Sequence, residues 1–524
     1  MNEQRSTRPI LVFASGAAAL FAAAILGAAP CAADIGSAVV TPQDAGSANP
    51  SAARDFTVNL KKGSTLADAS VVARYFRGFG LRVRIDADDG ILFASGTVGQ
   101  TGSAAHSSYR MARSGGTLFL HLASSPSFPQ AVASRIRATT LQDGPGAVSA
   151  SLVEPAGIQA APLNGYSPGD IGVYYNITPL YNAGLSGKGQ HIAIVACNTV
   201  DPKDIAQFEV QFGLPSNVPA IVNVGPSPFP GTAFEPTGDV ERVIGTAPKA
   251  GVTLYVAGSG QCSFSDLANA MAQVVSDNAS KHFIALSHSY GSTEDLYDFY
   301  HAQDTLTAED TDLADLLTAN TTPFVASGDW GAFEPLSQAL SDGEVDAWFP
   351  ASDSNVLAVR GTTAATANYH DPVRSTEYAW GLSGGNVSGK FPLPAWQVGV
   401  SGLASQTFRN LPDLALDADI YTGYTMIYTP PGGIQGTYFG GGTSFAAPTW
   451  AGILALVDQA RIKAGKAALT SVPANLYALR STPSIVDIER GCNGVFCAKA
   501  GYDNITGIGV PDVRKLEKAL LALP

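Results

Sequence analysis

From residue 166 onward, short apolar strands alternate with stretches of helical character, and this alternation restricts the possible folds more than any other feature of the chain. Parallel sheets bury their strands on both faces and need crossover helices, so they produce this pattern. The sequence therefore predicts an α/β domain with a parallel sheet flanked by helices. The predicted strands, each leading into a glycine- or serine-rich turn, are 192–196, 252–257, 283–289, 323–327 and 356–360.

The segment from Asp55 to about Val153 has a different pattern. Two helices, Ala67–Phe79 and Ser127–Ala138, are predicted together with three strands at 81–85, 91–98 and 117–122. Two helices over a small antiparallel sheet form a compact α+β unit. With 524 residues, the chain has room for this unit and for the larger α/β domain.

The first 33 residues have the pattern of an export signal. Arg5 and Arg8 precede an apolar run from Ile10 to Ala29, and small residues follow at 31–33. We expect a secreted or periplasmic protein that keeps no stable membrane association after cleavage, with an uncleaved anchor as the alternative. Residues 34–53, rich in Ala, Ser, Gly and Pro, are predicted to be a flexible leader. The net charge of −13 argues against nucleic acid as a partner.

Ser444 stands at the end of a glycine-rich approach, in the segment Gly440–Pro448. It precedes an apolar helix predicted over Phe445–Val457, whose N-terminus favours developing negative charge. Pro448 falls near the first turn of this helix, where a missing N–H does least harm. A nucleophilic serine is often presented in this way, although a glycine-rich turn that ends in a serine N-cap has the same pattern.

No histidine stands in an obvious position to activate this serine. His288 lies within Leu286–Gly291, which is typical of a buried strand end, so a structural imidazole is predicted. Glu235 and Asp239 are four residues apart and share one face of a helix. Two close carboxyls can share a proton, so one of them can accept the serine proton at low pH. Taken alone, this spacing also fits an acidic first turn that complements the helix dipole.

Together, these residues resemble the sedolisins, the serine-carboxyl peptidases with a subtilisin-like fold. The family's marks are Gly-Thr-Ser-x-x-x-Pro and Glu-x-x-x-Asp. The resemblance implies that Ser444 is the nucleophile, Glu235 the general base and acid, and Asp239 its partner. Asp329, after the predicted strand 323–327, matches the family's aspartic acid whose protonated carboxyl donates to the oxyanion. Because such a donor must stay protonated, the resemblance implies peptide hydrolysis in acid, by an endopeptidase acting through an acyl-enzyme.

The resemblance covers nearly the whole chain and implies a domain order. It makes residues 54–160 a ferredoxin-like propeptide domain that covers the active site and inhibits it within the same chain. Residues 161–524 are then the peptidase domain, the linker at 154–164 is the maturation site, and a monomer is expected. The landmarks that agree in order and spacing are 166–170, 185–195, 286–291, 349–352, 384–397 and 411–419.

A calcium site is implied near the C-terminus. Two carboxylates with loop carbonyls suit a hard cation, although capping aspartates in a turn produce the same spacing. The resemblance implies one Ca²⁺ per chain. Its ligands are the side chains of Asp487 and Asp503 and the carbonyls of Ile488, Lys499 and Gly501.

An even number of cysteines remains after removal of the signal, which allows disulfides in an exported chain. We favour a bridge between Cys492 and Cys497, which flank a tight loop. Cys197 and Cys262 each follow a predicted strand and can be joined if those strands are parallel neighbours. That second pairing stays open.

Two details depart from the family pattern. Pro236 disfavours helical geometry in the residue before it, so Glu235 is expected at the N-cap. Arg360 stands where the family usually has glycine, and it either lines the cleft or packs outward. Two other functions remain possible: a tripeptidyl-type exopeptidase on the same scaffold, and an exported binding protein without turnover.

Overall fold

The computed structural model describes residues 43–114, 117–144, 148–149, 152–155, 165–227, 231–259, 262–332, 346–368 and 371–524. The predicted export signal and most of the predicted maturation linker lie outside the described residues. The helices are Leu66–Arg77, Val98–Ala104, Gln130–Ala133, Pro168–Tyr174, Thr178–Asn182, Pro202–Phe212, Phe234–Thr246, Phe264–Lys281, Glu294–Phe299, Gln303–Thr318, Thr443–Lys463, Val472–Ala478 and Val513–Ala522, with a 3-10 turn at Ile420–Thr422.

The strands are numbered in chain order. They are β1 Gln43–Ser47, β2 Ala53–Leu60, β3 Arg82–Asp86, β4 Ile91–Thr97, β5 Tyr109–Ser114, β6 Thr117–Leu122, β7 Ile136–Thr139, β8 Val148–Ser149, β9 Leu152–Pro155, β10 His191–Ala196, β11 Ala220–Ser227, β12 Gly251–Ser259, β13 Ala285–His288, β14 Tyr290–Thr293, β15 Thr322–Ala326, β16 Trp348–Phe349, β17 Leu357–Asn368, β18 Asp371–Ala379, β19 Val387–Pro392, β20 Phe408–Asn410, β21 Leu414–Asp417, β22 Tyr424–Tyr428, β23 Gly436–Gly441, β24 Ile485–Val486 and β25 Val510–Pro511.

The core of the larger domain is a sheet in the order β11-β12-β10-β13-β15-β17-β18. All neighbours from β11 to β17 are parallel, β18 is antiparallel, and β21 adds to β17. The strands are apolar because helices cover both faces: every residue of β13 and β15 is buried. The predicted α/β architecture is confirmed, and its five predicted strands correspond to β10, β12, β13, β15 and β17.

Two helices of this domain carry the candidate site. The acid helix is Phe234–Thr246, and all its residues are buried. The serine helix is Thr443–Lys463, which is apolar on almost every side, as expected of a helix that runs through a core. Inside the core, Trp450 stacks on Phe324 of β15 and donates from its ring nitrogen to the Ala415 carbonyl at 3.1 Å.

The N-terminal domain contains a four-stranded antiparallel sheet in the order β3-β4-β2-β7. Counted along the chain this order is 2-3-1-4, the ferredoxin-like arrangement, with the helix Leu66–Arg77 between its first two strands. The second helix predicted for Ser127–Ala138 is wrong over most of its length. It is limited to Gln130–Ala133, because Ile136–Thr139 pairs with β2 and tertiary pairing overrides helix propensity.

The flexible leader predicted for residues 34–53 is ordered in its described part. Gln43–Ser47 forms β1, which pairs with β5, and β2 begins at Ala53. In this way a third strand is added to the β5–β6 hairpin.

The N-terminal domain packs against the helices Phe264–Lys281 and Gln303–Thr318 of the larger domain. Specific hydrogen bonds cross the surface between the two domains. They join Asp143 to Ser265 at 2.8 Å, Asn59 to Asp312 at 2.8 Å, Thr140 to Asn269 at 2.6 Å and Arg137 to Asp310 at 3.1 Å.

Two disulfides are present among the residues that the structure describes. Cys492 is joined to Cys497, as predicted. Cys197 is joined to Cys262, which settles the pairing left open by the sequence: β10 and β12 are parallel neighbours, so the residues that follow them meet. None of the helices in the described part of the chain combines the length and apolar character needed to span a membrane.

Candidate active site

The acid helix brings Glu235 and Asp239 to one face, as their spacing predicts. The expected N-cap position of Glu235 is wrong: Ala233 is the N-cap and Glu235 is the second helical residue. Pro236 is compatible with this position because it falls in the first turn, where backbone N–H groups have no partner within the helix.

Burial shapes the electrostatics of this carboxyl pair. Glu235 is 4% exposed and Asp239 is 1% exposed. Burial and the adjacent charge of Glu235 raise the pKa of Asp239 well above its usual range, and a hydrogen bond from Ser289 opposes this rise. Two close buried carboxyls cannot both ionise cheaply, so the two groups can share one proton.

Ser444 is the second residue of the serine helix, which follows Gly442 at a φ of 118°. The acid helix lies directly beside it because Gly238 has no side chain. A Cβ at Gly238 would lie 2.7 Å from the ring of Phe445, the residue after Ser444. This close approach places the carboxyl pair and the serine in one buried region.

Ser289 links the two helices, and the sequence did not single it out. Its hydroxyl lies 2.8 Å from Asp239 Oδ1 and 3.4 Å from the Ser444 carbonyl oxygen. That carbonyl is available because the residue four positions later is Pro448, which has no N–H to donate. The single hydroxyl proton donates to the closer, carboxylate acceptor. The sequence signal that could have identified Ser289 is a polar residue directly after a buried strand.

Asp329 follows β15 and faces the start of the serine helix. Its Oδ1 accepts from the Thr443 backbone N–H at 2.8 Å. Its Oδ2 is buried and has no hydrogen-bond partner among the described residues. Burial raises the pKa of Asp329 to about 7. In acid, this carboxyl is therefore neutral and has an O–H to donate.

The structure thus brings all four predicted catalytic residues into one region. Ser444 Oγ is buried and makes no hydrogen bond to any residue that the structure describes, so the serine and the carboxyl pair are not in direct hydrogen-bond contact in this form. His288 is not a competing base. Its imidazole is fully buried, burial lowers its pKa to about 4, and no hydrogen bond joins it to Ser444.

Two short strands near the end of the N-terminal domain pair with strands on both sides of this region. Ser149 of β8 pairs antiparallel with Tyr290 of β14. Val153 of β9 pairs antiparallel with Gly440 of β23, the strand that leads to Ser444. Both β8 and β9 are therefore extended and pair beside the site as added strands do.

The C-terminal loop brings the predicted calcium ligands together. Asp503 accepts from the backbone N–H groups of Lys499 at 2.8 Å and Thr506 at 2.7 Å, and Asp487 Oδ2 accepts from Gly501 N–H at 2.6 Å. Asp487 Oδ1 is buried without a hydrogen-bond partner in the described chain, which suits a cation. Within those residues, no three His, Cys, Asp or Glu side chains cluster as metal ligands, so a cation here needs carbonyl oxygens as well.

Comparison with known proteins agrees with this geometry. Residues 227–473 match the model of the subtilase family of peptidases. Kumamolisin from Bacillus sp. (strain MN-32) is 31% identical over 391 residues, which cover 69% of this chain and 65% of kumamolisin. Human tripeptidyl-peptidase 1 is 28% identical over 257 residues, covering 44% of this chain and 42% of that protein. The chain thus spans less than two thirds of the length of these curated relatives.

Among solved structures, Pseudomonas sedolisin, a serine-carboxyl proteinase complexed with two molecules of pseudo-iodotyrostatin, superimposes with a TM-score of 0.59 at 28% identity. The match covers 68% of this chain and 97% of that one. The sheet order, the buried carboxyl pair beside a serine at a helix start and these similarities agree: the chain belongs to the sedolisin family and has its subtilisin-like fold.

Proposed function

We propose that the protein is an exported, acid-acting serine-carboxyl endopeptidase made as a zymogen. One observation carries the proposal: four groups are buried around the start of the serine helix. They are the carboxyl pair Glu235 and Asp239, the hydroxyl of Ser444, and the carboxyl of Asp329, which is neutral in acid. Buried ionisable groups with shifted pKa values cluster at functional sites, which favours a catalytic role for this set.

In the proposed mechanism, Glu235 accepts the proton of Ser444 Oγ as the oxygen attacks the scissile carbonyl. The negative charge on the carbonyl oxygen is stabilised by the protonated Asp329 and the Ser444 backbone N–H at the helix start. Glu235 then donates the proton to the leaving amine, which leaves an acyl-enzyme. A water molecule, deprotonated by Glu235, hydrolyses the ester and restores Ser444.

The proposed acid dependence follows from Asp329. Its folded pKa of about 7 means that the O–H needed by the oxyanion is present below that pH and is lost above it. The carboxyl pair must lose one of its two protons to act as a base. Activity is therefore expected in the window between these two events.

The zymogen proposal is supported by the positions of β8 and β9. β8 lies beside β14 on the side opposite β16, where a substrate would add as a strand. The propeptide would thus inhibit the enzyme by occupying the place of the substrate, before proteolytic maturation in the linker around residues 154–164.

We further propose that the C-terminal loop binds one Ca²⁺. The side chains of Asp487 and Asp503 and the carbonyls of Ile488, Lys499 and Gly501 would hold it, and the ion would cross-link the loop by its charge. The Lys499 side chain does not prevent this, because it is exposed and its Nζ lies 3.5 Å from the Gly402 carbonyl.

A tripeptidyl-peptidase is the second candidate, because human tripeptidyl-peptidase 1 is 28% identical to this chain over its matched residues and kumamolisin is 31% identical over its own. A binding protein without turnover is less well supported, since Glu235 lies in the helix in spite of Pro236.

The test is hydrolysis of an unblocked and an N-blocked peptide at about pH 3–4, where carboxyl-based catalysis is poised. We expect Ser444→Ala and Glu235→Ala to abolish hydrolysis, while Ser375→Ala, an exposed serine of the same domain, leaves it unchanged. Unchanged hydrolysis in the first two variants would refute the site. Product masses separate internal cleavage from the release of tripeptides.

A further inference from the structure

Arg360 is a buried cation that the proposed mechanism does not use. It lies in β17 and is 0% exposed, so it neither packs outward nor extends into an open cleft. Burying a guanidinium is costly unless its donors and its charge are compensated. Its surroundings therefore indicate what it does.

The guanidinium joins two loops at the candidate site. Its Nε lies 3.1 Å from Ser327 Oγ, two residues before Asp329, and its Nη1 donates to the Ser383 carbonyl. The space for the group is provided by Gly385, where a Cβ would lie 2.3 Å from Nη2. Arg360 thus connects the loop that carries Asp329 with the Ser383–Gly385 loop.

These two loops also touch directly, since Gly384 N–H donates to the Gly328 carbonyl at 3.0 Å. Gly328 has a φ of 94°, which glycine adopts readily and residues with a side chain do not. Because glycine can also adopt many other conformations, the turn into Asp329 depends on contacts with its surroundings to stay in place. The rigid, forked guanidinium is suited to fixing such a turn.

The positive charge of Arg360 also acts on Asp329. It lowers the pKa of this carboxyl and so opposes the effect of burial. No other charged side chain of the described residues has a resolved effect on Asp329; the remaining influence comes from Thr443 at the start of the serine helix. The charge of Arg360 also acts on Tyr502, but this phenol stays neutral because burial raises its pKa well above 10.

We propose that Arg360 is a positioning residue that sets the upper pH limit of the reaction by favouring the ionised form of Asp329, while it holds the turn before Asp329 against the Ser383–Gly385 loop. This inference depends on the proposed role of Asp329 as oxyanion donor. Because that role needs the protonated carboxyl, removing the charge should extend activity to higher pH.

The test is the pH dependence of kcat/KM for wild type, Arg360→Met, Arg360→Gln and Arg360→Lys. We expect the alkaline limb of both neutral variants to move up by roughly half to one pH unit, less than the shift of about one to three units caused by a cation in direct contact. Arg360→Lys keeps the positive charge but loses the forked hydrogen-bond geometry of the guanidinium. The alkaline limb of its pH profile should therefore stay at the wild-type position, while KM rises.

A purely structural role predicts a different result: lower activity and a lower melting temperature, with no upward movement of the alkaline limb in either neutral variant. That result would overturn the proposal. If neither neutral variant folds, Arg360→Lys decides alone, because an alkaline limb displaced in this variant is incompatible with an effect of charge. Failure of the proposed function itself is seen separately, as wild-type hydrolysis that persists in Ser444→Ala.

Discussion

Gly238→Ala tests the close approach of the acid helix to the serine helix. An alanine Cβ would lie 2.7 Å from Cζ of Phe445 and 3.2 and 3.3 Å from its Cε atoms. The ring cannot move away freely, because it stacks on Tyr424 at 5.6 Å and contacts Phe234 at 6.0 Å between centroids. Overpacking of this kind costs about 1–3 kcal/mol. Replacing a helical glycine returns about 0.5–1 kcal/mol, so the net loss of stability is expected to lie between about 0 and 2.5 kcal/mol.

The displacement should also move Ser444 away from the carboxyl pair, since Phe445 is its neighbour. We expect kcat to fall at least about tenfold, because small misplacements of reacting groups are costly, with KM much less affected. Stability is measured by calorimetry in a Ser444→Ala background, which prevents autolysis, and kcat in the active background.

A control is Gly169→Ala, at an exposed helical glycine whose added Cβ meets only Ser167 Oγ at 3.6 Å. This variant should be neutral or slightly stabilising. Phe445→Leu should partly restore the stability of Gly238→Ala in a double-mutant cycle. A Gly238→Ala protein as stable and active as the Gly169→Ala protein would refute the idea that glycine sets the distance between the helices.

Three further outcomes are expected. Ser289→Ala removes a hydrogen-bond donor to Asp239 and so should raise the pKa of the carboxyl pair. The acid limb of the pH profile of kcat/KM should move up by about one pH unit, since hydrogen bonds to charged groups contribute about 1.5–3 kcal/mol. An unchanged acid limb would show that Ser289 does not affect the pKa of the pair. Asp329→Asn keeps a donor that cannot ionise, so the loss of activity near pH 7 should disappear from its pH profile, and a profile like that of the wild type would exclude Asp329 as the group responsible. Chelation of Ca²⁺ should lower the melting temperature of the wild type but not of Asp487→Asn, whereas equal melting curves with and without chelator would argue against the calcium site.

The parts of the site that depend on local spacing were predictable. Glu235 and Asp239 meet because a helix places residues four apart on one face, and Ser444 starts a helix because glycines precede an apolar run. The ferredoxin-like sheet was only partly predictable. Ile136–Thr139 has helix-compatible residues but is a strand, since pairing with β2 is a tertiary effect that no local window contains.

The remaining errors also have tertiary causes. Pro236 correctly indicates a helix start, but its effect on the preceding residue does not show that the helix begins two residues earlier, at Phe234. Ser289 and Arg360 act through partners far away in sequence: Ser289 contacts Asp239, and Arg360 contacts Ser383. Their roles become visible only when the sheet has assembled.

The pairing of β8 with β14 and of β9 with β23 has a kinetic consequence. Both strands belong to the same molecule as the groove they occupy, so they face it at an effective concentration on the order of millimolar, whatever the dilution of the protein. A dissolved peptide at micromolar concentration cannot outcompete such a tethered strand. If the protein is a zymogen, as proposed, its inhibition depends on this covalent connection, and a single cut in the connection makes occupancy of the groove dependent on dilution.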